Sequence, residues 1–144
     1  VSAPQPKPPE NQEPEDKSRD VFVMERDFAG RQHIGTREKQ EDYYAFSDAS
    51  GPKEAKGTRL LVALGDGLGA HLGGNIASYT IVDEFLKAYK RGTLSEAWRM
   101  RVALEAANDK LNEITMRLAM NTAPMGSTFV GLSFTRQALH WISV

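Results

Sequence analysis

Asp66 stands between Gly65 and Gly67 at the end of an apolar run, and five glycines fall within residues 65–74. Glycine at that density lets a backbone pass close to a ligand and take positive φ angles. A carboxylate at the end of a buried strand, with sterically open carbonyls on either side, suits a hard divalent cation. Mg²⁺ and Mn²⁺ take oxygen ligands and keep several waters. A second cluster, G-T-R-E-K-Q-E-D from Gly35 to Asp42, would by itself read as a solvated loop. Beside Asp66 it gains a use. Glu41 and Asp42, adjacent carboxylates at the start of a strand, could hold metal-bound waters, and the planar fork of Arg37 could grip a phosphate. Arginine, metal and carboxylates are what a phosphoryl-group hydrolase requires: a charge clamp, a water activator and orienting acceptors.

Two other readings compete for the glycine-rich segment. Gly65, Gly67 and Ala70 satisfy G-x-G-x-x-G/A between a strand and a helix, the dinucleotide fingerprint. The acidic partner that should end a second parallel strand is instead Asp83 or Glu84, in mid-helix, and Asp66 would repel a pyrophosphate. A tight strand-to-helix turn with no ligand is the other alternative. His71 reads as a polar residue near a helix start rather than a catalytic group, and His33 and His140 show no ligand spacing.

The elements that must position these residues are short. Val21–Ala29 and Asp42–Ser47 are β-favouring, and Thr58–Leu64 is an apolar strand ended by the glycine-rich turn. Gly74–Arg91 is helical, with Gly92 as its C-terminal cap. Ser95 opens a second helix with apolar positions at Ala97, Met100, Leu104, Ala107, Leu111, Ile114 and Leu118. That seam fits a helix lying on a partner helix and a sheet better than a short coiled coil. Gly126–Phe134 and Ala138–Val144 read as two further strands joined by T-R-Q.

The composition bounds the rest. The chain has 144 residues, 26% charged and 40% hydrophobic, about one domain's worth, and no apolar stretch approaches the length of a membrane span. A net charge of -1 with no basic patch sets nucleic acid and anionic membranes aside. The absence of cysteine rules out disulfides and thiolate metal sites. Residues 1–20 hold five of the seven prolines and eight charges, and cannot bury enough apolar surface to offset their ordering entropy. They are expected to form a disordered tail or linker. The last strand candidate runs to Val144 without a turn signal, so the chain is expected to be a piece of a longer domain.

Taken in order, Arg37 with Glu41-Asp42, D-G-L-G-A-H-L-G-G at 66–74, and M-G-S-T at 125–128 resemble the first motifs of the metal-dependent Ser/Thr protein phosphatases, the 2C type or PPM family. The family pattern is approximately R-x-x-N-E-D, D-G-M-G-G-H and M-G-T-T, so Gln40, Leu68, Ala70 and Ser127 are mild departures. The resemblance spans Ala29–Val144 and makes residues 21–144 the N-terminal part of such a domain.

It implies an α+β fold: a four-layer sandwich of two antiparallel sheets flanked by helices, incomplete in this chain. It also implies a two-ion Mg²⁺ or Mn²⁺ centre at which Asp66 bridges the ions, Gly67 binds one through its carbonyl, and Glu41 and Asp42 hold coordinated waters. Arg37 would bind the phosphate of a phosphoprotein substrate, and water activated by both ions would attack phosphorus in line. The later aspartate-bearing motifs are absent, so the chain alone is expected to bind Mn²⁺ poorly and to be inactive, its partner being the missing C-terminal half of the domain. A truncated, inactive pseudophosphatase acting as a binding or regulatory module is the alternative. A cytoplasmic location without membrane contact is expected.

Overall fold

The computed structural model describes residues 21–51, 56–68, 73–92, 95–118 and 124–144. The expected tail at residues 1–20, together with Ala70 and His71, lies outside these. The elements are β1 (Asp42–Asp48), β2 (Leu60–Leu68), α1 (Gly73–Arg91), α2 (Glu96–Leu118), β3 (Gly126–Ser127), β4 (Val130–Phe134) and β5 (Leu139–Ser143). The strands form one antiparallel sheet in the order β1-β2-β4-β5, with β3 pairing the far end of β2. This is an α+β arrangement. A second sheet is not found among the described residues.

Alternation along β2 sorts its side chains by face. Leu61, Ala63, Gly65 and Gly67 are buried toward the helices, while Leu64, Asp66 and Leu68 are exposed on the opposite face. Helix α1 covers the buried face with Ala77, Ser78, Ile81, Val82, Phe85, Leu86 and Tyr89, the spacing of a single helical stripe. Each large apolar side chain sunk in this layer contributes about 1.5–3 kcal/mol. Gly131 lets the stripe approach, because a Cβ there would lie 2.8 Å from Phe85 Cζ. Phe85 and Phe129 pack with ring centroids 4.7 Å apart.

Helix α2 buries Met100, Ala103, Ala107 and Leu111, and Leu104 and Ile142 pack against the same core. The predicted seam therefore lies on its neighbours, but Ala97 and Leu118 at its ends are exposed and Ala103 joins it. Small residues at 103 and 107 allow close approach to α1. Where α1 meets α2 a polar network is sealed in. The Tyr89 hydroxyl lies 3.0 Å from Ser133 Oγ and bonds the Glu96 carboxylate; Arg59 pairs with Glu96 at 2.7 Å, and Arg99 sits 4.2 Å over the Tyr89 ring.

Four expectations are corrected. Val21–Ala29 is a turn with an isolated Met24–Phe28 bridge, not a strand. The Asp27 carboxylate accepts from Val23 N at 2.8 Å and Glu25 has φ 69°, so local side-chain bonding defeats β propensity. Phe22 and Phe28 from this turn lie over the outer sheet face, Phe28 against Phe46 at 4.9 Å and Phe22 beneath Arg136 at 4.5 Å. Secondly, Gly126–Phe134 is interrupted at Thr128 and Phe129, where the Ser127 and Thr128 hydroxyls take the place of main-chain partners. Thirdly, Gly92 ends α1 without a positive φ: its N–H bonds Tyr89 O at 3.1 Å, closing a tighter last turn. Fourthly, β2 does not end at Leu64 but runs on through Leu68.

Candidate functional site

The extension of β2 carries Asp66 out of the expected turn and into paired strand. Neither Gly65 nor Gly67 has a positive φ; among the described glycines only Gly35 and Gly57 do. The glycines serve close approach instead. A Cβ on Gly67 would fall 1.9 Å from the Gly74 carbonyl oxygen and 2.7 Å from that of Glu41, and one on Gly65 would fall 3.3 Å from Ser78 Cα. The first turns of α1 thus rest directly on the end of β2.

Antiparallel register places Asp42 of β1 directly opposite Asp66 of β2. Directly opposed residues share a face, here the outer one. Burial, then a hydrogen bond with Asp66 and the Asp66 charge, raise the Asp42 carboxyl above its ordinary range; Arg37 works against this and Glu41 adds to it. Asp66, Arg37 and Glu41 therefore all act on the Asp42 carboxyl. Arg37 is largely exposed, its guanidinium 3.9 Å from Glu41, and both border a cavity of about 340 Å³ with Glu38 and Lys39.

The structure separates one pair that the sequence joins. Adjacent residues in extended chain point to opposite faces. Asp42 faces outward, whereas Glu41 turns toward α1, where a Cβ on Gly74 would lie 2.6 Å from Glu41 Oε1. Helix α1 has no acidic residue in its first turn, and Glu41 brings a carboxylate to that positive end from outside. The Gly67 N–H bonds Glu41 O at 3.1 Å, and the Gly67 carbonyl lies against Gly74.

Sequence reasoning gave Ser127 and Thr128 a place in a motif but no contact. In the structure both bond Asp66. Thr128 N donates to Asp66 O at 2.9 Å, Ser127 Oγ donates to the same oxygen at 3.1 Å, and Asp66 N donates to Thr128 Oγ1 at 3.2 Å. Their adjacency to Asp66 could be found only from strand register. His33 accepts from Gly35 N at 2.9 Å within a local turn.

Two carboxylates in contact, one already resisting ionisation, are a donor set of hard oxygens short of positive charge, which fits a divalent cation. Among the described residues no group of three or more His, Asp or Glu converges on one point.

The fold is similar to that of the Mycobacterium tuberculosis serine/threonine phosphatase PstP. Identity is 22% and the TM-score 0.48, over 72% of this chain and 46% of PstP. The catalytic domain of the serine/threonine protein phosphatase PstP in complex with two manganese ions gives 21% and 0.48, over 72% and 47%. This chain thus spans about half the length of the PstP structures it matches. No protein-family model matches the sequence, and neither does any curated protein.

Proposed function

We propose that this chain carries the first half of a phosphatase site that hydrolyses phosphoserine and phosphothreonine in proteins, with Mg²⁺ or Mn²⁺ as cofactor. The observation that carries the reading is the juxtaposition of Asp42 and Asp66 at one register position, with Arg37 close enough to act on the Asp42 charge. Asp66 and Asp42 would hold the cation. Glu41 would orient water at its edge, and the Gly67 carbonyl would add a neutral oxygen. A divalent ion bound there lowers the pKa of water and neutralises developing phosphoryl charge.

The remaining chemistry belongs to the chain. Arg37, exposed and loosely paired, can turn its fork onto two phosphate oxygens without breaking a buried contact. The two carboxylates, set into the sheet, keep their positions while substrate arrives. No helix among the described residues is long and apolar enough to cross a membrane.

The test is to combine the chain with the complementary half of a phosphatase domain and assay Mn²⁺-dependent release of phosphate from a phosphothreonine peptide. Activity that Asp66→Asn abolishes and Arg37→Ala weakens supports the proposal. A reconstituted pair that stays inert, or whose activity ignores Asp66→Asn, would overturn it in favour of a binding or regulatory module.

A further inference from the structure

Opposite Asp66 the sheet departs from regular pairing. In a hydrogen-bonded antiparallel pair the two residues exchange N–H and C=O groups through the main chain. Here Thr128 N donates to Asp66 O at 2.9 Å as expected, but the return bond from Asp66 N goes to the Thr128 side chain, Oγ1, at 3.2 Å. The Thr128 carbonyl is engaged instead by the Ser127 hydroxyl at 2.7 Å, which also reaches Asp66 O at 3.1 Å. This substitution of hydroxyls for main-chain partners interrupts regular strand between β3 and β4. Register does not slip across it: Leu64 pairs Val130 on one side and Gly67 pairs Ser127 on the other.

We infer that Ser127 and Thr128 are positioning residues that hold the Asp66 main chain so that its carboxylate stays opposite that of Asp42. The inference rests on the phosphatase reading of the Asp42–Asp66 pair. Two hydroxyls bind both main-chain polar groups of one residue, and they do so at the single β2 residue whose side chain meets another acid across the sheet. When both carboxylates are ionised they repel each other, and a main chain fixed on the far side of Asp66 opposes their separation. Ser127 is held in turn, since its Oγ would lie 2.7 Å from a Cβ on Gly65 and so fills the space that this glycine leaves.

The test compares the full chain with Thr128→Val, which keeps the shape and loses the hydroxyl, Thr128→Ser, which restores it, and Asp66→Asn. Two quantities are read: hydrogen exchange of the Asp66 amide, and Mn²⁺ affinity from water-proton relaxation. Losing one such bond is expected to speed Asp66 exchange about five-fold, the effect of about 1 kcal/mol. Mn²⁺ affinity falls by a similar factor, the urea midpoint drops by no more than the loss of that one bond accounts for, and Thr128→Ser recovers both readings. Wild-type values in Thr128→Val, or a loss that Thr128→Ser does not recover, overturn the inference alone. A wild-type Mn²⁺ signal indifferent to Asp66→Asn overturns the phosphatase reading on which it rests.

Discussion

Gly67 in β2 and Gly74 in the first turn of α1 meet through bare backbone, with no room for a single carbon between them. A Cβ on Gly67 would lie 1.9 Å from Gly74 O and 2.5 Å from Gly74 C, and the nearest atom of another residue is also main chain, Glu41 O at 2.7 Å. Neither can swing aside as a side-chain tip could. Gly67→Ala is therefore expected to cost about 3 kcal/mol or more, because the helix start must move off the sheet. Gly126→Ala, which points into open space, should stay within about 0.5 kcal/mol. Urea midpoints of the two variants check this, and equal midpoints would refute the close contact.

The Asp42–Asp66 pair predicts a stability gain from losing a charge. Asp42 titrates above the ordinary carboxylate range, because of burial first and then Asp66. A raised folded-state pKa means that the unfolded chain gives up its proton more readily. Ionisation therefore weakens the fold above the unfolded pKa, fully once pH exceeds the folded one. Asp66→Asn should stabilise the metal-free chain at pH 7, by less than about 1 kcal/mol since solvent screens the exposed pair. In acid, where both carboxyls are protonated in both states, the gain should vanish. Denaturation curves at neutral and acidic pH read the difference.

Glu96 predicts the opposite pH dependence. Burial alone would raise its pKa, but hydrogen bonds with Ser133 and Tyr89 and the charges of Arg59 and Arg99 outweigh burial and hold it below the ordinary range. A depressed carboxylate contributes stability above its unfolded pKa and loses it as pH falls through the folded value. Glu96→Gln should cost about 2–4 kcal/mol at pH 7, as breaking a largely buried ion pair does. The cost should shrink in strong acid. A penalty that is constant with pH would show that the network is not ionic.

Tyr89→Phe isolates the hydroxyl of the same network. Ser133 is fully buried, and its Oγ lies 3.0 Å from Tyr89 Oη. Removing the phenol should cost about 1–3 kcal/mol. Tyr89→Phe combined with Glu96→Gln should cost less than the sum of the two, because both break one network. A strictly additive pair of losses would count against it.

Arg37 should separate binding from folding. Its side chain is 80% exposed, with only a 3.9 Å approach to Glu41. Arg37→Ala is expected to leave the urea midpoint within about 0.5 kcal/mol. In a reconstituted domain it should still weaken phosphopeptide hydrolysis about ten-fold or more, an effect that Lys cannot fully restore because it lacks the planar fork. Unchanged hydrolysis would remove Arg37 from the site.

Both helices, β1 and β5 are legible in the sequence to within a residue or two. Each is an uninterrupted periodic run, such as Ile81, Phe85 and Tyr89 along α1, bounded by glycine or polar residues. The charged cluster and Asp66 stand out in the sequence too, because residue type and spacing make them candidate oxygen donors. Misreadings fall where side chains bond the backbone or where glycine has two possible uses. Asp27 folds Val21–Ala29 into a turn, and Thr128 interrupts a strand that composition reads as continuous. Gly65 and Gly67 look like a turn and are a contact surface.

The residues capable of chemistry, the helical stripes and the strand-forming runs were determined by sequence, since each depends only on side-chain type and short-range spacing. Which carboxylates meet was decided by tertiary structure. Asp42 faces Asp66 because β1 and β2 pair antiparallel in one register, and Glu41, its neighbour in the chain, is sent to the helix side by the alternation of extended backbone. Register and face depend on packing between segments far apart in sequence, where a shift of one residue would reverse every side chain.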